Sequence, residues 1–98
     1  MFYTMNIVTP AEGKKDRVQE LLSHLVSEVE KNEPEALAFY ASWVADVGVF
    51  YVIELYAKPV ERREESYTAE LRRICREEHN LAKKVEVQVL SKFAGFSR

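Results

Sequence analysis

The chain has one cysteine, Cys75, in 98 residues. No intrachain disulfide can form, and a cysteine-rich metal site is excluded. The two histidines, His24 and His79, are not spaced as metal ligands. Glycine and proline are equally sparse, three of each, and no Gly-rich phosphate loop, zinc spacing or Ser-His-Asp arrangement occurs. Neither sign of charge dominates. Fourteen Lys and Arg face sixteen Asp and Glu, for a net charge of −2, so there is no basic face for a polyanion and nucleic acid is not an expected partner. No segment approaches the ~20 apolar residues of a membrane span. The N-terminal stretch lacks the basic region and long apolar run of a signal peptide. These absences lead us to expect a cytoplasmic protein that partners neither membrane nor nucleic acid, with no tightly bound metal or organic cofactor.

What is present is the balance of a folded globular chain, 47% hydrophobic and 31% charged. Its length suits a single domain over residues 1–98, with no internal repeat or linker. A domain of this size buries roughly two-thirds of the surface its unfolded chain exposes, so a partner would help it considerably.

Phe2 to Thr9 is rich in β-branched and aromatic residues and is predicted as a strand. Val18, Leu21, Leu22, Leu25, Val26 and Val29 recur at helical spacing, which predicts an amphipathic helix from about Lys14 to Lys31. Pro34 ends it, because the residue before proline is pushed from helical geometry. Ala36–Val44 and Val49–Tyr56 are predicted as a hairpin around Asp46, Val47 and Gly48. Pro59 suits the first turn of a second helix, whose charged run Glu61–Glu65 is expected to be solvated. Its apolar stripe is Tyr67, Leu71, Ile74 and Cys75, extended by Leu81. Val85, Val87 and Val89 alternate with Glu86 and Gln88 as a fourth, half-exposed strand.

The order β-α-β-β-α-β specifies a ferredoxin-like α+β domain, an antiparallel sheet with helices on one face. Alternation sends Tyr51, Ile53 and Leu55 one way and Phe50 and Val52 the other. The face without helices therefore stays apolar and needs a cover, for which a second copy of the chain is the simplest candidate.

Several pieces resemble the antibiotic-biosynthesis monooxygenase family in order and spacing. The strand holding Asn6 runs into a Gly13-led helix. Glu33-Pro34-Glu35-Ala36-Leu37-Ala38-Phe39-Tyr40 is similar to that family's Glu-Pro-Gly phrase leading into the second strand. Phe50-Tyr51-Val52-Ile53-Glu54-Leu55-Tyr56 is similar to its third strand. The resemblance spans nearly the whole chain. It implies a homodimer whose sheets face each other as a dimeric α/β barrel, with a pocket in each subunit between sheet and helices. Family members include oxygenases that oxidise anthrones or quinols without metal or flavin, haem-degrading proteins, sugar isomerases and members of no assigned activity. The sequence departs where the family carries histidines after the third strand, and here holds Glu65 and Glu70. The haem-degrading members set an asparagine, matched by Asn6, beside a tryptophan and a histidine; those two positions hold Glu65 and Cys75, so haem degradation is not expected.

The candidate residues each admit two readings. Asn6 is a buried amide that either holds a phenol or enolate oxygen or is satisfied by neighbouring backbone. Tyr67 either hydrogen-bonds a ligand or is a core tyrosine with its tip in water. Glu54, inside an apolar strand, is either a base of raised pKa or a carboxylate paired with a Lys or Arg, across a dimer or within the chain. Phe39 and Trp43 share a strand face and either flank a planar ligand or simply pack. Cys75, on the apolar stripe, reads as a small hydrophobe, and His24 lies off the stripe of its helix. Asn6 and Tyr67 are thus the catalytic candidates, and Phe39, Trp43, Glu54 and Leu71 the substrate-binding ones. The expected function is a cofactor-independent monooxygenase acting on a small aromatic, quinol or polyketide-type substrate. The alternatives are a non-catalytic small-molecule-binding or stress-related protein on the same scaffold, and a purely structural dimer.

Overall fold

Side-chain alternation and helical periodicity account for most of the architecture. A computed structural model describes all residues from Met1 to Arg98. β1 (Phe2–Pro10) is followed by α1 (Lys15–Asn32), β2 (Ala36–Val44) and β3 (Val49–Tyr56). A 3-10 turn, η1 (Val60–Ser66), then leads to α2 (Ala69–Leu81) and β4 (Ala82–Leu90). The four strands form one sheet in the order β2-β3-β1-β4, and every neighbouring pair is antiparallel. This is the ferredoxin-like order, with both helices on one face.

α1 buries Val18, Leu21, Leu22, Leu25 and Val29, while Val26, at the edge of the stripe, is half-buried. Its end is set by Pro34: Glu33 leaves helical geometry at φ −122° and ψ 82°. From the sheet, Val8, Phe50 and Val52 meet this stripe, and Leu71 and Ile74 of α2 close the core. Each such side chain contributes roughly 1.5–3 kcal/mol by leaving water. Gly48, at φ +76°, closes the β2–β3 hairpin in the left-handed region that a side chain disfavours. A register shift between Ala36 and Ala38 leaves Leu37 as a bulge residue, after which Phe39 pairs with Glu54 on the helix-facing side.

The second helical region differs from expectation in two ways. It is split into η1 and α2, because Tyr67 takes an extended conformation (φ −66°, ψ 130°) and Thr68 caps α2, its hydroxyl accepting the Leu71 amide at 3.1 Å. Nor is the charged run wholly solvated, since Arg63 is only 2% exposed. A 3-10 turn has three residues per turn, which places Val60 and Arg63 on the side facing the sheet, Arg63 buried and Val60 half-buried.

The opposite sheet face has no helix over it. Register places Tyr3 beside Leu55, Met5 beside Ile53 and Ile7 beside Tyr51, with Tyr40 next to Ile53. Ile53 and Tyr40 are exposed and the others half-buried. No helix is long and apolar enough to cross a membrane.

Candidate functional site

Alternation on β1 turns Thr4, Asn6 and Val8 toward the helices, and register sets Thr4 against Glu54 and Asn6 against Val52. Above them lies a cavity of 420 Å³ between the sheet, η1 and α2, within the size range of small-molecule sites. Leu25, Val29, Phe39, Leu71 and Val85 supply apolar wall, and Asn6, Glu54, Tyr67 and Glu78 bring polar groups to it.

One wall is a buried polar network. Three donors converge on Glu54 Oε2: the Thr4 hydroxyl at 2.8 Å, the Asn6 amide nitrogen at 3.0 Å and Arg63 Nη1 at 3.4 Å. Thr4 in turn accepts from Arg63 Nη1 at 2.8 Å, and the guanidinium lies over the Tyr56 ring, 4.0 Å from its centroid. Burial pushes the Glu54 pKa up, while the Thr4 hydrogen bond, the Arg63 charge and the Asn6 hydrogen bond pull it back. The balance leaves its pKa above the ordinary carboxylate range, so Glu54 is both paired, with a cation of its own chain, and raised. The Arg63 Nε and the Tyr56 hydroxyl remain buried without a hydrogen-bond partner.

Asn6 is held by the Glu54 side chain, not by backbone. Because a carboxylate accepts and the amide nitrogen donates, the Glu54 contact fixes the amide orientation. Tyr67 lines the cavity from the link between η1 and α2, and Arg72 pins that link by donating to the carbonyls of Glu64 at 2.6 Å and Tyr67 at 3.4 Å. Burial, first of several causes, raises the Tyr67 pKa to about 12, so its hydroxyl keeps its proton. Burial likewise raises Cys75 to about 11. The thiol that lines this cavity is not a thiolate.

The second buried acid at the cavity is Glu78, only 6% exposed. Its Oε2 has no hydrogen-bond partner; His79 Nε2 lies 3.5 Å away but out of hydrogen-bonding geometry. Burial, and then the charge of Glu54, raises its pKa to about 7. No three His, Cys, Asp or Glu side chains group as metal ligands.

The chain has the fold of the antibiotic biosynthesis monooxygenases. An antibiotic biosynthesis monooxygenase structure superposes with a TM-score of 0.80 at 18% identity, covering 96% of this chain and 100% of that one. A candidate antibiotic biosynthesis monooxygenase from Caulobacter crescentus gives 0.80 at 17% identity over 95% of this chain and 90% of its own. Rv0793 from Mycobacterium tuberculosis gives 0.81 at 15% identity over 98% of both chains. No protein-family model and no curated protein matches the sequence. At these identities the likeness fixes the fold and leaves the chemistry to the site.

On this fold, Asn6, Tyr67, Phe39, Glu54 and Leu71 come together around one cavity. Trp43 does not join them. Although it shares the strand face of Phe39, it sits four residues nearer the hairpin turn. There it packs on Phe50 at 4.7 Å between ring centroids, beneath the Lys15 ammonium at 4.8 Å. Glu65 and Glu70, where the family carries histidines, also stand outside the cavity lining, their side chains 64% and 41% exposed.

Sequence reasoning missed Thr4, Arg63 and Glu78. Thr4 could have been found from its alternation with Asn6. Glu78 continues the α2 stripe, three residues after Cys75 and four after Ile74, so its spacing was a readable signal. Arg63 carried none, because its burial depends on a 3-10 period inside a charged run.

Proposed function

We propose that the protein is a cofactor-independent monooxygenase for a small electron-rich aromatic, quinol or polyketide-type substrate, working as a homodimer with sheet facing sheet. The observation that carries this reading is the placing of the Asn6 amide and the Tyr67 hydroxyl in one apolar-walled cavity. The sequence resemblance and the names of the structures that share the fold support the same reaction class.

The residues divide the work as follows. After its bond to Glu54, Asn6 keeps one N–H for a ligand oxygen. Tyr67, protonated at working pH, offers a second donor. Asn6 holds the oxygen of a phenol or enol and stabilises its anion as it forms, Tyr67 hydrogen-bonds the far side of the ligand, and Phe39 and Leu71 exclude water beside the ring. The substrate anion reacts with dioxygen. An anthrone-type CH₂ becomes a carbonyl, and its two hydrogens leave with the second oxygen atom as water. A quinol C–H becomes C–OH, while the quinol's own two O–H hydrogens and two electrons reduce the second oxygen atom to water, leaving a hydroxyquinone.

Oxygen uptake with a panel of quinols, anthrones and related polyketides tests the proposal. Asn6→Ala should lose about a hundredfold in turnover, roughly the ~3 kcal/mol that one preorganised donor supplies, with the fold intact by circular dichroism. Tyr67→Phe should lose less, because its ring remains. Wild-type turnover by Asn6→Ala would refute the mechanism. Tight binding without oxygen consumption would favour the binding-protein alternative, which the absence of the family's histidines at Glu65 and Glu70 makes worth testing.

A further inference from the structure

Glu78 has no role in the network around Glu54, yet its carboxylate is buried at the same cavity. Isolated buried acids are costly, and a native protein usually pairs them. Its helix explains how it is held there: Leu71, Ile74, Cys75 and Glu78 form one stripe, and the first two are anchored in the core. The other charged or titratable groups at the cavity are Glu54 and Tyr56 from β3, Arg63 and Glu64 from η1, Tyr67 from the link, and Arg72, Cys75, Arg76 and His79 from α2 itself. β1, β4 and α1 contribute only Asn6 and apolar side chains. Of the three guanidinium groups there, Arg63 is committed to Thr4 and Glu54, Arg72 to backbone carbonyls, and Arg76 is exposed and forms no ion pair with Glu78.

We propose that Glu78 is the proton-accepting base of this cavity, taking the acidic proton of a phenol or enolisable ketone bound between the sheet and α2. The inference rests on the reading of the cavity given above. In the step, the substrate O–H or C–H bond breaks and its electron pair stays on the substrate as phenolate or enolate. A new O–H bond forms on Glu78. That proton returns to water when product leaves and solvent re-enters the cavity. With a pKa near 7, the group is ionised often enough to accept a proton and basic enough to draw one.

The test separates proton transfer from oxygen chemistry. Anthrone is incubated with the protein under nitrogen in deuterated buffer, and exchange of its methylene protons is followed by NMR. Wild type should accelerate exchange over buffer, with a rate that rises through pH about 7. Glu78→Gln should slow it about a hundredfold or more and lose the inflection. Glu78→Asp, which keeps the carboxylate one methylene further back, should retain part of the rate; it also serves if the glutamine variant folds poorly. Exchange at the wild-type rate in Glu78→Gln, or no acceleration by wild type, overturns the proposal. Exchange that depends on Glu78 without oxygen uptake in air would uphold it while removing the monooxygenase reading.

Discussion

At the scale of single residues, a buried acid kept for chemistry should cost stability. Folding raises the Glu78 pKa from 4.5 to about 7. Below pH 4.5 the folded and unfolded chains both hold the proton, so there is no penalty. Between those values the unfolded chain ionises first, and stability falls as pH rises, levelling above pH 7. Glu78→Gln cannot ionise and should escape that fall. It should be more stable than wild type by up to about 3 kcal/mol at pH 8 and nearly equal to it at about pH 4, as urea denaturation at the two pH values would show. Arg63 should behave in the opposite way. Removing it leaves the Glu54 carboxylate buried without its cation, at a cost of about 3–5 kcal/mol. Arg63→Ala should therefore lower the melting temperature by on the order of 10 °C or more, and adding Glu54→Gln should recover much of the loss. These residues also mark the limit of reading by composition. Asn6 and Tyr67 are conspicuous in sequence because a strand amide and a stripe tyrosine stand out among apolar neighbours. Arg63 lies in a charged run and looks solvated, and only three-dimensional packing separates it from the exposed acids and bases beside it, whereas Glu78 sits on the apolar stripe of α2 and its charge masks that spacing.

At the scale of elements, the strands and α1 were legible because each is governed by a single period. β2 and β3 have the bounds that alternation gives, and α1 is displaced by one residue at each end. The region after Pro59 was not, because two helical periods meet there and a break of two residues separates them. That break is maintained by the Thr68 cap on the Leu71 amide and by Arg72 reaching back to Glu64 and Tyr67. Thr68→Ala should cost about 1 kcal/mol by leaving a first-turn amide unsatisfied, measurable as a drop of roughly 4–8 °C in melting temperature. Since the same break aims Tyr67 into the cavity, the variant should also weaken ligand binding, while Glu65→Ala, on the exposed side of η1, should leave both quantities unchanged. Trp43 shows a different limit. Alternation assigns a residue to a face but says nothing of its position along the strand, and so it grouped Trp43 with Phe39 although the two lie at opposite ends of that face.

At the scale of the whole molecule, the open sheet face is the largest feature that a single chain leaves unexplained. Tyr3, Met5 and Ile7 on β1 and Tyr51, Ile53 and Leu55 on β3 form paired rungs, with Tyr40 of β2 beside Ile53. Ile53 and Tyr40 stand 39% and 64% exposed, and beyond the sheet Phe93 and Phe96 are 99% and 78% exposed. A contiguous apolar surface of this kind is unfavourable in water and marks an interaction site. Every rung is made of the same chain, so a two-fold partner would set the patch against its own copy, the commonest arrangement for small soluble proteins. A stable interface of this sort buries more than ~1,000 Å² in total. Light scattering at micromolar concentration should therefore give twice the chain mass of 11.4 kDa. Ile53→Lys places an ammonium at the middle of the patch, next to Met5 and Tyr40. Its side chain points away from the helices, so the core and the cavity should survive. The variant should run as a folded monomer with native circular dichroism, and a dimer of undiminished stability would show that the partner is seated elsewhere.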